Sequence, residues 1–269
     1  MTRLLTTLFV AVLTLALVRY APGFATDDRD LDPTLGAATR TALHNQPALA
    51  ARNFLLGLLH GDLGESRMLG VPVRQLIAER GPTTLRILLT GTVAAWIAAL
   101  AWAIALTVLP VPLFARASTL LSALLLCLPA AAIAALLLNA DCPPAAVLAV
   151  ALVPKIFQVA RSLMAAALDR AEVLAARARG LSNTRILLFY VAPRIAAPLL
   201  AWLASTAGLA IAALVPIEVI YDVPGLGQLA WKAALARDLP LLVVLTILVA
   251  IIIQGANTAM RQIPEPHRT

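Results

Sequence analysis

The residues able to do chemistry in this 269-residue chain are few, and the notable charge inside apolar sequence is a lysine. Lysine occurs only at Lys155 and Lys232. Lys155 stands within the apolar run Ala145–Leu168, beside Pro154, with Gln158 and Ser162 placed near the same face of a helix. A charge at that depth is costly and marks a functional candidate. Lys155 and Gln158 form a candidate translocation path, where the ammonium meets a carboxylate or carbonyl of a solute. Two structural readings stand beside it: a pair with a carboxylate on a partner subunit, or a shifted span that lets Lys155 snorkel. Arg161 lies closer to the end of the run and can snorkel. Pro154 frees a backbone carbonyl, which a helix lining a polar cavity tolerates.

The second group is the basic stretch Leu174–Pro193, LAARARGLSNTRILLFYVAP, set between long apolar runs. Asp169–Arg179 favours helix, with Asp169 near its start. Gly180 can end that helix in the left-handed conformation. Ser182 or Asn183 can cap a second helix from about Thr184, and Pro193 and Pro198 lead into the next apolar run. The expected product is a helix–turn–helix with the small residues Ala175 and Ala176 on view and Arg177 and Arg179 as docking charges. An ordinary basic loop is the competing reading, and composition leaves the two even.

Elsewhere, catalytic and metal-binding patterns are missing from the sequence. Neither lysine follows a Gly-rich phosphate loop, and no HExxH, GxSxG or dinucleotide fingerprint occurs. His44, His60 and His267 lie outside the apolar runs, and Cys127 and Cys142 form no CxxC or Cys/His cluster. The expectation is therefore no catalytic residue, no metal ligand and no cofactor in this chain.

The elements that must position these residues are membrane helices. Hydrophobic residues make up 61% of the chain and charged ones 13%, with mean hydropathy +0.89. Soluble domains carry about 25% charged residues. The net charge of +7 fits basic loops on one side of a bilayer, and aromatics at 5% do not suggest base-stacking platforms. Nucleic acid is not an expected partner; the lipid bilayer is. A span needs about 20 apolar residues. Six candidates fit, Leu4–Tyr20, Thr84–Leu109, Ser118–Leu138, Ala145–Leu168, Ile195–Ile220 and Leu239–Met260. The first could pass for a cleaved signal peptide, but a retained span gives the better charge distribution. The loop 169–194 carries Arg170, Arg177, Arg179, Arg185 and Arg194, and with six spans Arg3, Arg116, Arg261 and Arg268 share its side. That side, with both termini, is expected to be cytoplasmic. The predicted organisation is a first span at 1–20, an extracytoplasmic segment at 21–83 with short surface helices at Asn53–His60 and Val73–Ala78, and a five-span core at 84–269. Glu218 and Asp222 fall near the outer end of the fifth span, as docking groups or solvated interface residues. Gly225 and Gly227 are expected to shape a tight external turn.

The stretch from Ala175 resembles the EAA loop of membrane subunits of ATP-binding-cassette importers. Ala175, Ala176 and Gly180 match that pattern, and Leu174 stands where it has Glu. The run Ala-Ala-Arg-Ala-Arg-Gly-Leu, ending at Leu181, is similar to the T-A-R-A-K-G-L of the dipeptide/oligopeptide/nickel-type permeases. Four further segments resemble that subfamily in order and spacing: Leu17–Gly23 (L-x-R-x-A-P-G), Gly61–Ser66 with Pro72-Val73 (G-D-L-G-x-S…P-V), Glu79–Leu85 (E-R-x-P-x-T-L), and Val223–Gly227 with Ala236–Pro240 (W-P-G-L-G…A-R-D-Y-P). The loops Asn139–Pro144 and Pro110–Ala117 are shorter than is usual there, which implies a shallower outer vestibule.

The resemblance implies an all-α integral membrane protein with six transmembrane helices, of the type I importer permease kind. It is expected to reside in a bacterial inner membrane as a non-catalytic subunit. Implied partners are a second homologous permease, two cytoplasmic ATPase subunits that use ATP and Mg, and an extracytoplasmic substrate-binding protein. Ala175, Ala176, Arg177, Arg179, Gly180, Leu181 and Pro193 would form the ATPase-coupling loop, and Pro224, Gly225 and Gly227 an external loop facing the substrate entrance. Peptides are the favoured cargo and nickel complexes the second. An ion-coupled secondary transporter would want several membrane-embedded carboxylates, which the spans hardly offer. A membrane scaffold or assembly protein is the other alternative, and it would not stimulate a partner's ATP hydrolysis.

Overall fold

The computed structural model describes Gly57 and residues 61–108 and 111–261. The expected span Leu4–Tyr20, the segment Leu17–Gly23 and the helix Asn53–His60, apart from Gly57, lie outside the described residues. The described chain is helical: α1 (Val73–Val108), α2 (Pro112–Cys127), α3 (Ala130–Leu138), α4 (Pro144–Leu168), α5 (Ala171–Ala178), α6 (Asn183–Ile186), a π-helical turn at Leu187–Val191, α7 (Ala192–Ile220), α8 (Leu226–Leu235) and α9 (Leu239–Arg261). Four helices among the described residues are long and apolar enough to cross a membrane: α1, α4, the run Asn183–Ile220, and Leu239–Thr258 within α9. The bent pair α2–α3 makes a fifth if counted as one span.

Three elements differ from expectation. First, α1 begins at Val73 and runs 36 residues through Pro82, so the short helix Val73–Ala78 and the span from Thr84 are one rod. At 1.5 Å per residue it is about 54 Å long, well beyond a hydrocarbon core of about 30 Å. Secondly, the expected span Ser118–Leu138 is bent by 99°. The break falls at Leu128, held extended at φ −84° and ψ 124°, because the following Pro129 excludes it from the helical region. Thirdly, Asp169 does not start the loop helix. It caps the end of α4, and Arg170, at φ −77° and ψ 149°, separates α4 from α5.

The chain forms two compact units, Met1–Pro82 with Pro224–Ile252, and Thr83–Val223 with Ile253–Thr269. In the second, α4 is the central helix, burying Leu148, Leu152, Ile156, Phe157 and Ala160. Gly91 of α1 lets the two helices touch: a Cβ there would lie 2.8 Å from the Ala145 carbonyl and 2.9 Å from Leu148. Small residues serve this purpose where no aqueous hydrophobic force presses helices together. Trp102 of α1 stacks on Phe157 with centroids 4.2 Å apart. Its indole N–H donates to Ser118 Oγ at 3.0 Å, and that of Trp96 to Thr206 Oγ1 at 3.3 Å. In the first unit, Val73 and Leu76 pack with Leu229, Ala233, Leu241, Val244 and Leu245.

Candidate functional site

The basic loop is built on α5. Glu172 stands in its first turn and Arg177 in its last, which suits the helix dipole. Val173 and Ala176 are buried in the core, while Leu174, Ala175 and Arg177 face outward. Only Ala175 of the two alanines is on view; Ala176 is fully buried, because residues three apart on this helix share the inner face. The helix closes on Gly180 at φ +78°. Gly180 N–H donates to the Arg177 carbonyl at 2.9 Å, and Leu181 N–H to the Ala176 carbonyl at 3.2 Å. These two bonds satisfy carbonyls that a helix end leaves open. A Cβ on Gly180 would meet nothing within 4 Å. Arg179 is exposed, Leu181 half-buried, and Glu172 forms an exposed ion pair with Arg194.

Ser182 occupies the N-cap position of α6 with extended backbone, but its side chain makes no capping bond. The second helix does not stop before the next span. It continues through Leu187–Val191 into α7, an apolar run of 38 residues from Asn183 to Ile220. Pro193 has no N–H for the Phe189 carbonyl, and its ring crowds that turn. The widened π-helical turn directly precedes it and accommodates both. Pro193 itself is exposed.

The glycines after Val223 do not make the turn. Gly225 is the extended N-cap of α8 and Gly227 lies in its first turn, both buried, while Pro224 is exposed. The turn falls earlier, at the end of α7, where Asp222 takes φ +49°. Asp222 N–H donates to the Val219 carbonyl and Val223 N–H to that of Glu218, at 3.3 and 2.9 Å. Glu218 is neither a docking nor a solvated group. It is fully buried and accepts a hydrogen bond from Thr84 Oγ1 at 2.7 Å. Tyr221, the C-cap of α7, has its pKa raised above 10.0, first by burial, then by nearby Cys142 and Asp141.

One residue that sequence reasoning left inside a motif proves central to its unit. Asp238 is buried and ends α8 while starting α9. Its N–H donates to the Ala233 carbonyl at 2.9 Å, and its own carbonyl accepts from Leu242 N–H at 3.0 Å. Its carboxylate accepts from Ser66 Oγ at 2.5 Å, Met68 N–H at 3.1 Å and Leu241 N–H at 3.4 Å. The Gly61–Ser66 and Ala236–Pro240 segments, 172 residues apart at Ser66 and Asp238, are thus one structure. Pro240 fits the first turn of α9 because that N–H has no helical partner anyway. An acidic residue just before a proline-started apolar run was the available signal.

Lys155 is half-buried in the middle of α4, and no side chain among the described residues pairs with it. Gln158 and Ser162 lie exposed one and two turns further on. Arg161 donates to Thr119 Oγ1 of α2. Thr119, Ser122, Phe157, Gln158, Arg161, Ser162 and Ala165 line a cleft of about 330 Å³. The cleft brings Gln158 together with Arg161 and with two α2 hydroxyls that periodicity within α4 could not supply. No group of His, Cys, Asp and Glu able to hold a metal occurs among the described residues.

Long apolar helices, one carrying a polar stripe and joined to a small basic helix–turn outside the apolar runs, are the architecture of a polytopic membrane protein. The sequence pattern of the binding-protein-dependent transport system inner membrane component family matches residues 100–263. The chain belongs to that family, the permease subunits of ATP-binding-cassette importers. It is 30% identical over 264 residues to the putative peptide transport system permease protein of Brucella abortus strain 2308, covering 87% of this chain and 84% of that protein. It is also 30% identical over 268 residues to the oligopeptide transport system permease protein OppB of Escherichia coli K12, covering 90% and 88%.

Proposed function

We propose that this chain supplies one half of the translocation path for peptides in a bacterial inner-membrane importer, and that α5 with the Gly180 turn receives movement from a cytoplasmic ATPase subunit. The observation that carries the reading is the division of α5. One face, Val173 and Ala176, is locked into the core, and the other offers Leu174, Ala175 and Arg177 beside an open glycine turn. A partner gripping the outer face moves the helix, and the locked face passes that movement to α7 through the continuous run from Asn183. ATP and Mg are used by two ATPase subunits. A second homologous permease completes the path, and an extracytoplasmic binding protein delivers the cargo. Both termini are then cytoplasmic. Alternating access is a two-state equilibrium that nucleotide biases from one side and loaded binding protein from the other. The relatives' names, peptide and oligopeptide permeases, favour peptides over nickel complexes.

The test is reconstitution of the chain with its partner subunits in vesicles. ATP-dependent peptide uptake is expected only when all are present; uphill pumping by the lone chain overturns the reading. Lys155→Ala is expected to lower peptide-stimulated ATP hydrolysis several-fold more than basal hydrolysis. Equal effects on the two rates would make Lys155 structural.

A further inference from the structure

We propose that the cleft between α2 and α4 is a carboxylate subsite of the translocation path, with Arg161 as its cation, and that it takes the free C-terminus of a peptide in transit. This inference rests on the peptide-permease reading above. Arg161 lies seven residues from the end of α4 and Thr119 seven residues into α2, each about 10 Å along its helix. Their bond therefore runs sideways between helices rather than out to the aqueous end. A guanidinium carries five N–H donors. Among the described residues Arg161 donates only to the neutral Thr119 hydroxyl. Such a cation in an apolar helix calls for an anion, and a planar fork of donors suits a carboxylate.

The rest of the cleft matches what adjoins a peptide's terminal carboxylate. Ser162 Oγ donates to the Val159 carbonyl at 2.9 Å, and Ser122 Oγ to the Thr119 carbonyl at 3.0 Å. Their protons are spent on their own helices, so they present lone pairs, which accept amide N–H groups. Gln158 can do either. Donors at Arg161 beside acceptors at Ser122 and Ser162 complement a carboxylate next to a peptide N–H. Phe157, fixed by its stack on Trp102, supplies an apolar wall. The volume of about 330 Å³ is at the small end for ligand pockets and suits a chain terminus rather than a whole peptide.

The experiment uses the complete transporter in vesicles, with trialanine and trialanine amide as probes and initial uptake as the readout. The preference for the free acid is compared between wild type and variants, so that any preference of the binding protein cancels. Arg161→Gln is expected to cut that preference about tenfold, the worth of a charge-assisted hydrogen bond, and Arg161→Lys to restore part of it. Thr119→Val, which leaves the cation but not its anchor, is expected to shift the preference the same way by a smaller factor. Equal loss of both probes in Arg161→Gln, with poor recovery of the permease pair, would mean an ion pair to the second permease and overturn the proposal. An unchanged preference in both Arg161→Gln and Thr119→Val overturns it as well. Failure of wild type to take up either probe would instead remove the peptide reading itself, and this subsite with it.

Discussion

Helices α5 and α8 end in the same turn with opposite residues at its key position. After α5, Gly180 takes φ +78°; after α8, Arg237 takes φ +54°. The bonds are equivalent: Gly180 and Leu181 donate to Arg177 and Ala176, as Arg237 and Asp238 donate to Ala234 and Ala233. A left-handed non-glycine residue costs about 1–2 kcal/mol. The α8 turn carries that cost because the next residue, Asp238, is anchored by Ser66, Met68 and Leu241. The α5 turn has no such anchor; the residue after it, Leu181, is only half-buried, and Gly180 is open above. The backbone of this fold thus tolerates a side chain in the turn. At Gly180 the left-handed backbone carries no such cost, and the space above it is open.

Four substitutions break or sharpen that contrast. Gly180→Val is expected to have the largest effect, abolishing uptake while the protein still reaches the membrane, because it combines φ strain with bulk on the face proposed to meet the ATPase subunit; wild-type uptake would end the coupling proposal. Asp238→Ala should come next, on stability rather than coupling. It leaves the buried Ser66 hydroxyl and two N–H groups without their acceptor, a loss of about 2–4 kcal/mol, seen as a lower thermal midpoint of the purified complex in detergent. Gly180→Asn separates the two causes in the first variant, since Asn accepts the left-handed region. Stability should fall by less than about 1 kcal/mol, yet uptake should drop at least several-fold; full uptake would show that only backbone conformation matters there. Arg237→Gly is expected to be the mildest, because relief of the left-handed strain offsets both a freer unfolded chain and the loss of the Arg237 side chain's own interaction. A large loss on unfolding in denaturant would show that the Arg237 side chain, and not its backbone, secures the turn.

The expectation that these two segments matter came from pattern, and the reason they matter came from geometry. The apolar runs located the long helices, since lipid permits little else than helix for a spanning chain. Gly180 as a left-handed stop was legible because few other residues take that conformation freely. The bend at Leu128-Pro129 was legible in principle, and length alone concealed it: the run Ser118–Leu138 is long enough for one span. Gly225 and Gly227 misled for the opposite reason. Glycine permits a turn without requiring one, and here it serves a helix start and close packing.

The sequence by itself determined the class of this protein, the places of its long helices and the polar stripe of Lys155, Gln158 and Ser162, because hydropathy and helical period are local quantities. Only the tertiary structure decided which alanine of the loop is buried, which carboxylates leave water, and which hydroxyls face Arg161. Those outcomes depend on residues far apart in the chain, such as Ser66 and Asp238, Thr84 and Glu218, or Thr119 and Arg161, meeting in space. No spacing along a single helix encodes such a meeting; packing between helices does.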